Sequence, residues 1–236
     1  HWIERIARTI DAKPGETVVE IGPGQAALTR KMIADAGHAT AIEIDRDLAA
    51  WLKETFPETL TLIEADALKL DWNEVHPGKA LRIVGNLPYN ISSPLLFHLM
   101  TVANRVIDQH FMLQKEVVDR MVATPGSKVY GRLSVMLQYR YRMQKMFDVP
   151  PGAFTPAPKV TSSIVRMVPK KVDELLPVDL ERFAIIVAAA FNQRRKTLRN
   201  ALAKLLTEED IKKAGVDPAL RAEALDVEAF VRLARI

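Results

Sequence analysis

Two hydrophobic periods alternate along the first half of the chain, that of a buried strand and that of a helix with one apolar face. Short β-branched apolar runs predict five strands, over 16–22, 38–45, 59–68, 80–87 and 106–114. Segments with helical spacing predict helices over 25–37, 46–56, 92–102 and 115–123. The third of these helices is expected to begin with a serine cap and Pro94 in its first position. Strands that alternate with such helices indicate βαβ units and a mostly parallel sheet.

The pattern changes in the second half. Two longer runs, 132–150 and 161–169, predict two strands joined by a proline-rich loop, and we expect them to form an antiparallel hairpin at the sheet edge. Beyond this hairpin the spacing is helical, and "TEED" at 207–210 fits a capping box. We therefore predict a seven-stranded α/β domain of Rossmann-like type over 1–174, followed by a small helical domain over 175–236.

Composition narrows the class of protein. About half of the residues are apolar and a quarter are charged, as in a soluble globular protein, and no apolar run reaches the ~18 residues of a membrane span. The chain has no cysteine, which excludes disulfides and thiolate metal sites and fits a cytoplasmic protein. The five histidines lack metal-ligand spacing, so we predict no metal site. Because the chain opens on His1 inside an amphipathic pattern, we expect a native segment before it.

Charge is distributed unevenly. Residues 1–110 hold 11 Lys and Arg against 15 Asp and Glu, whereas residues 111–170 hold 10 against 3. Five basic residues and no acid occur within 191–204. A basic surface after an acidic first half is typical of a polyanion-binding protein, although a merely solvated basic face is the alternative.

Polar groups follow three successive strands. "EIGPGQAA" places Gly22 and Gly24 in a G-x-G-x-x-A turn after the first strand, where glycines let a ligand approach the backbone. Glu43 ends the second strand and can accept from ribose hydroxyls, and Asp66 follows the third and can accept from an adenine amine. Ligands of open parallel sheets bind beyond the carboxyl ends of the strands. This set indicates an adenosine-containing ligand, either NAD or S-adenosylmethionine.

The segment "NLPY" after the fourth strand separates these two ligands. Asn86 offers a side-chain carbonyl, Leu87 is held extended by the proline that follows it, and Pro88 lets backbone carbonyls face the cleft. Such acceptors hold the hydrogens of an exocyclic amine and make its nitrogen more nucleophilic. Tyr89 adds an aromatic face for a planar base. The combination favours methyl transfer from S-adenosylmethionine to an adenine amine, a reaction that needs mainly positioning.

Several motifs together resemble the bacterial 16S rRNA adenine dimethyltransferases of the KsgA/RsmA type. They occur in order over nearly the whole chain: "EIGPGQAALT", "GNLPYNISSPLLFHL", "MLQKEV", "YGRLSV", "FTPAPKV" and "FNQRRKTLRN". Family members usually start with a basic stretch and an "F-G-Q-N-F-L"-like segment, and this sequence begins after it. The resemblance implies double N6 methylation of two adjacent adenosines near the 3′ end of 16S rRNA in the small (30S) subunit.

The resemblance also implies roles for individual residues. The cofactor set is Gly22, Gly24, Glu43, Asp66, Ala67 and Asn86. The catalytic segment is Asn86, Leu87, Pro88 and Tyr89, and Phe154 is expected to sandwich the flipped target adenine with Tyr89, unless it only anchors its loop. Within "FNQRRKTLRN", we assign RNA binding to Arg194, Arg195, Lys196 and Arg199, with a second role in fixing the helical domain.

Two other functions remain open from the sequence. Related macrolide-resistance enzymes dimethylate an adenine of large-subunit rRNA. An RNA-binding assembly checkpoint factor with secondary catalysis would carry the same motifs. We favour the small-subunit enzyme, acting as a cytoplasmic monomer linked to ribosome biogenesis, because "FNQRRKTLRN" fits it better.

Overall fold

The computed structural model describes residues 1–154 and 157–236. The expected loop at 150–160 therefore lies partly outside the described residues. By internal contacts the chain forms two compact units: unit one is His1–Val118 with Arg142–Pro169, and unit two is Asp119–Tyr141 with Lys170–Ile236. In the described part of the chain, no helix is both long and apolar enough to cross a membrane.

Unit one is built on a seven-stranded sheet. Its strands are β1 (Thr17–Ile21), β2 (Ala39–Glu43), β3 (Leu60–Glu64), β4 (Leu81–Asn86), β5 (Val106–Gln114), β6 (Tyr141–Val149) and β7 (Ser162–Pro169). They lie in the order β3-β2-β1-β4-β5-β7-β6. The first five strands are parallel and β7 is antiparallel to β5. This confirms the predicted Rossmann-like α/β fold with seven strands and an antiparallel addition at one edge.

Helices connect the parallel strands, because each parallel pair needs a crossover. α2 (Ala27–Ala36), α3 (Arg46–Thr55) and α4 (Tyr89–Leu99) follow β1, β2 and β4 in this way, whereas α1 (Trp2–Ile10) precedes β1 and α5 (Lys115–Met121) leads out of the sheet. A continuous core forms where α1 and α2 cover one face of the sheet, with side chains such as Ile6, Met32, Val84 and Ile164. On this face a cavity opens between β1 and β4, the point where the strand order reverses.

Unit two is helical. It contains α6 (Arg132–Arg140), α7 (Leu180–Asn192), α8 (Leu198–Ala201), α9 (Glu208–Lys213) and α10 (Val227–Ala234). Its core contains two aromatic pairs among aliphatic side chains: the Tyr139 and Phe183 rings lie 5.0 Å apart, and the Phe191 and Phe230 rings lie 5.5 Å apart. The predicted capping box is present, since Thr207 Oγ1 accepts from Asp210 N and the Asp210 carboxylate accepts from Thr207 N.

The structure corrects the reading of residues 132–150 as one strand. Residues 132–140 form α6, and only residues 141–149 form a strand. Gly131 N donates to Ser134 Oγ at the start of α6, and the helix buries Val135, Leu137 and Tyr139 in unit two. Each unit is also made of two separate stretches of the chain, whereas the sequence predicts one division near residue 174. The difference arises because segment 119–141 packs with the C-terminal helices.

A second correction concerns α4. The helix begins at Tyr89 rather than at Pro94, and Pro94 lies inside it. Pro88, with φ of −58°, takes the capping position instead, and Ile91 N donates to Pro88 O at 3.2 Å. The helix therefore starts directly after the "NLP" segment, which brings Tyr89 to the carboxyl edge of the sheet.

Candidate active site

The main cavity of unit one has a volume of about 780 Å³. The sequence-predicted residues that line it are Gly22, Gly24, Asn86 and Phe154. Glu20, Ile3 and Ile6 line it as well, and none of these three was predicted. The cavity therefore extends from the glycine turn, beneath α1, to the loop after β6.

The glycine turn depends on unusual backbone geometry. Gly22 and Gly24 have φ of 65° and 55°, and Ala26 has φ of 72° at the start of α2. Glycine adopts this left-handed region at little cost, whereas alanine does not. The turn exposes backbone next to the cavity at the positive end of α2.

Close approach of β4 to β1 shapes the cavity mouth. A Cβ atom added to Gly85 would lie 2.7 Å from Ile21 O, a separation too short for any side chain. Gly85 is paired with Ile21 in register, so Asn86 follows directly beyond the end of β1. The sequence alone reads Gly85 only as the end of an apolar run, and the structure supplies the steric reason.

The "NLPY" segment is held at its start and open at its end. Leu87 N donates to Met112 O of β5 at 3.2 Å, and the Leu87 side chain is 4% exposed. Asn86 is exposed, and Tyr89 is 70% exposed. The segment therefore combines an anchored backbone with a free carboxamide and an aromatic ring that is open to a planar ligand.

Two predicted acceptors lie at the same edge of the sheet but outside the lining of the main cavity. Glu43 is buried at the end of β2, and its Oε2 accepts from Asp45 N at 3.1 Å. Asp66 follows β3, and its Oδ1 accepts from Leu68 N at 3.0 Å. Ala67 is buried beside it, and its carbonyl accepts from Trp72 Nε1. Each of the two carboxylates keeps one oxygen free of these local hydrogen bonds.

Glu20 is a buried polar residue of the cavity that sequence reasoning missed. It lies in β1, 3% exposed, and its Oε1 accepts from Thr29 Oγ1 at 2.5 Å. Burial raises its pKa from 4.5 to about 7, the Thr29 hydrogen bond opposes this, and the nearby Glu43 carboxylate raises it further. The available signal was a lone carboxylate inside the apolar run "TVVEIG".

His110 also lines the cavity although the sequence assigned it no role. Its Nε2 accepts from Arg166 Nε at 3.0 Å, and burial lowers its pKa to about 4. The imidazole is therefore neutral at physiological pH and helps to fix Arg166. Arg166 in turn donates to Thr9 O at 2.8 Å, at the C-terminal end of α1.

A second arginine holds the same end of α1. Arg82 Nη1 donates to Asp11 O at 3.1 Å, and Nη2 donates to Ile10 O. Its guanidinium also forms ion pairs with Asp108 and Glu16, both at 2.9 Å. Positive groups at a helix C-terminus are favourable, so this network fixes the helix that forms one wall of the cavity.

The predicted RNA-binding residues belong to unit two and differ in their surroundings. Arg194 is half-buried, with both Nε and Nη2 3.2 Å from Glu223 Oε2. Arg199 lies 3.7 Å from Glu208 in an exposed ion pair. Arg195 and Lys196 are exposed, and within the described ranges neither forms an ion pair.

The sheet order, the glycine turn and the cavity at the switch point define a methyltransferase of Rossmann-like fold. A model of the ribosomal RNA adenine dimethylase family matches residues 1–236. The chain therefore belongs to the ribosomal RNA adenine dimethylase family and is an rRNA adenine dimethyltransferase.

Individual relatives agree with this assignment. The chain is 58% identical to "Ribosomal RNA small subunit methyltransferase A" of Aromatoleum aromaticum, over 98% of this chain and 87% of that relative. A dimethyladenosine transferase of Plasmodium falciparum superposes with a TM-score of 0.81 at 26% identity, covering 98% of this chain and 93% of that one. The 23S rRNA methyltransferase ErmE gives 0.73 at 27% identity, covering 99% and 96%.

Proposed function

We propose that this protein transfers methyl groups from S-adenosylmethionine to the N6 amines of two adjacent adenosines near the 3′ end of 16S rRNA. Its substrate is the assembled small subunit, on which it acts as a monomer in the cytoplasm. The observation that carries the proposal is the "NLPY" segment, anchored through Leu87 and open at Asn86 and Tyr89, directly beside the cavity. The 58% identity to a small-subunit enzyme supports the choice of subunit.

The residues present fit S-adenosylmethionine, which when bound supplies an electrophilic methyl group. The cofactor is cationic at its sulfonium and ammonium groups, and Glu20 offers a carboxyl group to the cavity. In this proposal Glu43, at the end of β2, accepts from the ribose hydroxyls, and Asp66, after β3, accepts from the adenine amine. The backbone of Gly22 and Gly24 allows close approach of the methionyl part.

The target base requires a separate set of groups. The Asn86 carboxamide oxygen and the Pro88 carbonyl are suited to accept the two N6 hydrogens and orient the nitrogen for in-line attack. The Tyr89 ring supplies a stacking face worth ~1–3 kcal/mol. Phe154 lines the cavity from the loop after β6, and in this proposal its ring covers the other face of the base. No strong base is needed, because the nitrogen becomes acidic once it is alkylated.

A large-subunit target is the second candidate. The likeness to ErmE favours it, since that enzyme shares the fold over nearly the whole chain. Identity to that enzyme is 27%, against 58% for the small-subunit relative, so we rank it below the first. A checkpoint role in assembly is compatible with either target.

The test is methyl transfer from labelled cofactor to small subunits, large subunits and naked rRNA from cells that lack the modification. We expect each of the two adenosines of the small subunit to receive two methyl groups, and we expect background labelling of the other two substrates. Asn86→Ala is the matched control for site-dependent labelling. Labelling confined to large subunits would favour the second candidate, and labelling of none would contradict both.

A further inference from the structure

Arg194 uses its hydrogen-bond donors inside unit two. Its Nε and Nη2 both reach Glu223 Oε2, and Nη2 donates to Lys128 O at 2.8 Å and to Ser127 O at 3.4 Å. A guanidinium has five N–H donors in a fixed plane. The donors on Nε and Nη2 are directed at protein acceptors, which leaves the two on Nη1 for any other partner.

These contacts fix one loop, residues 124–131. Besides the contacts of Arg194, Gly126 N donates to Glu223 O at 2.7 Å. The buried Tyr130 hydroxyl donates to Leu225 O at 2.7 Å. Gly126 and Tyr130 therefore attach the two ends of the loop to segment 223–225. Arg194, which is paired with Glu223, holds the carbonyl groups of Ser127 and Lys128 between them.

Exposed charges of both signs occur near this attachment, the acid being Asp226, which follows Leu225 and acts on Tyr130. The Glu223 carboxylate is paired with Arg194. Arg195 and Lys196, the two residues that follow Arg194 in the chain, are exposed. Lys128 is also exposed, and its carbonyl is bonded to Arg194, so it lies on the same part of unit two. Among the described residues, no ion pair involves the Lys128 side chain. Within the described residues, these three exposed cations without an ion pair therefore lie next to the Arg194–Glu223 pair in the chain or through the Lys128 backbone.

We propose that Lys128, Arg195 and Lys196 form one phosphate-binding surface for rRNA, and that Arg194 is a positioning residue that holds Lys128 in it. This inference rests on the proposed function, because it assumes an RNA substrate. It reassigns Arg194 from RNA contact to support, and it adds Lys128, which the "RRK" motif does not contain.

Glu223→Gln gives the sharpest test, because the two explanations predict opposite signs. Removal of a negative charge from a basic surface should tighten RNA binding or leave it unchanged. If Arg194 instead needs Glu223 as its anchor, the loop loosens and affinity falls. We expect Glu223→Gln to lose about as much RNA affinity as Lys128→Gln. Each phosphate contact contributes ~0.9 to the slope of log affinity against log salt, so one lost contact lowers the affinity at 0.1 M salt roughly eightfold relative to 1 M.

Binding to small subunits is measured between 50 and 200 mM salt, a range over which phosphate contacts change affinity strongly. Lys128→Gln, Arg195→Gln and Lys196→Gln should each make the plot of log affinity against log salt shallower by about one unit. Arg194→Gln should weaken binding to the same degree as Glu223→Gln, and the double variant should be no weaker than either. Glu209→Gln, which changes the same charge at an exposed site of α9, is the control and should not weaken binding.

The outcomes separate this inference from the proposed function. A wild-type protein without salt-dependent subunit binding contradicts the proposed function. Normal wild-type binding with Glu223→Gln equal to Glu209→Gln, or tighter, overturns the inference alone. Thermal melts of all variants show whether unit two stays folded, and Arg194→Lys, which retains the charge but not the planar fork, should behave like Arg194→Gln.

Discussion

Replacement of Glu20 by glutamine should stabilise the protein, and only above a defined pH. The folded protein holds the Glu20 pKa at about 7, against 4.5 for an ordinary glutamate, chiefly because the carboxyl group is buried. Between these two pH values the folded state keeps the proton that the unfolded state has lost. The free energy of unfolding therefore falls as pH rises from 4.5 to 7, and this contribution is constant above 7.

The magnitude follows from the same two values. One pKa unit corresponds to 1.36 kcal/mol, so the separation between 4.5 and about 7 corresponds to roughly 3 kcal/mol. Glutamine is neutral at every pH, and its carbonyl oxygen can accept the Thr29 hydrogen bond in place of Oε1. Glu20→Gln should therefore match the wild type near pH 4.5 and exceed its stability by up to about 3 kcal/mol at pH 8.

Urea denaturation at pH 5, 6, 7 and 8 measures this difference directly. Other titrating groups cancel in the comparison, including His110, whose lowered pKa reduces the stability of both proteins as pH falls. Glu58→Gln, at an exposed site, is the control and should change stability by less than about 0.5 kcal/mol. A difference between Glu20→Gln and wild type that does not grow with pH would refute the reasoning.

Three further predictions concern the site. Glu43→Ala should weaken binding of S-adenosylhomocysteine by ~1–3 kcal/mol in calorimetry, because it removes a charged acceptor, and unchanged affinity in a folded variant would exclude Glu43. Tyr89→Ala should lower single-turnover methylation and leave cofactor affinity intact, whereas Asn86→Ala should depress methylation more strongly. Wild-type rates in either variant would contradict the acceptor pocket. Gly85→Ala should cost ~1–3 kcal/mol in urea denaturation, because its Cβ would lie 2.7 Å from a carbonyl oxygen of β1. Gly152→Ala, where nothing lies within 4 Å, is the control, and equal stability of the two variants would contradict the steric account.

The secondary structure was predictable where the hydrophobic pattern of a segment fits only one kind of element. The strands from β1 to β5 and the capping box at Thr207 follow from periodicity and local chemistry, and the structure confirms them. Segment 132–140 has no such clear period, because a short apolar run fits a strand or a buried helix equally well. Its true state depends on contacts with α7, which no local pattern contains.

The positions of the candidate site residues were predictable where these residues lie at or just after a strand end. Gly22, Gly24, Glu43, Asp66 and Asn86 all occupy that position, and the topology brings them to one edge. Glu20 precedes its strand end and reads as an interruption of an apolar run. The Arg194–Glu223 pair could not be predicted from the sequence for another reason. Its two residues are 29 positions apart in the chain, and only the fold of unit two brings them together.

The chemistry of the two ligands accounts for the separation of charge along the chain. The proposed cofactor needs carboxyl groups as acceptors and as counter-charges, and the candidates Glu20, Glu43 and Asp66 all belong to unit one. The same carboxylates repel the phosphates of RNA at short range, so unit one is poorly suited to provide sequence-independent affinity for its substrate. The adjacent exposed cations Arg195 and Lys196 belong to unit two, although exposed lysines such as Lys53 and Lys69 occur in unit one as well. A single surface could not serve both ligands without neutralising one set of charges with the other, and this conflict gives a physical reason for a second compact unit in an enzyme whose chemistry needs only the first.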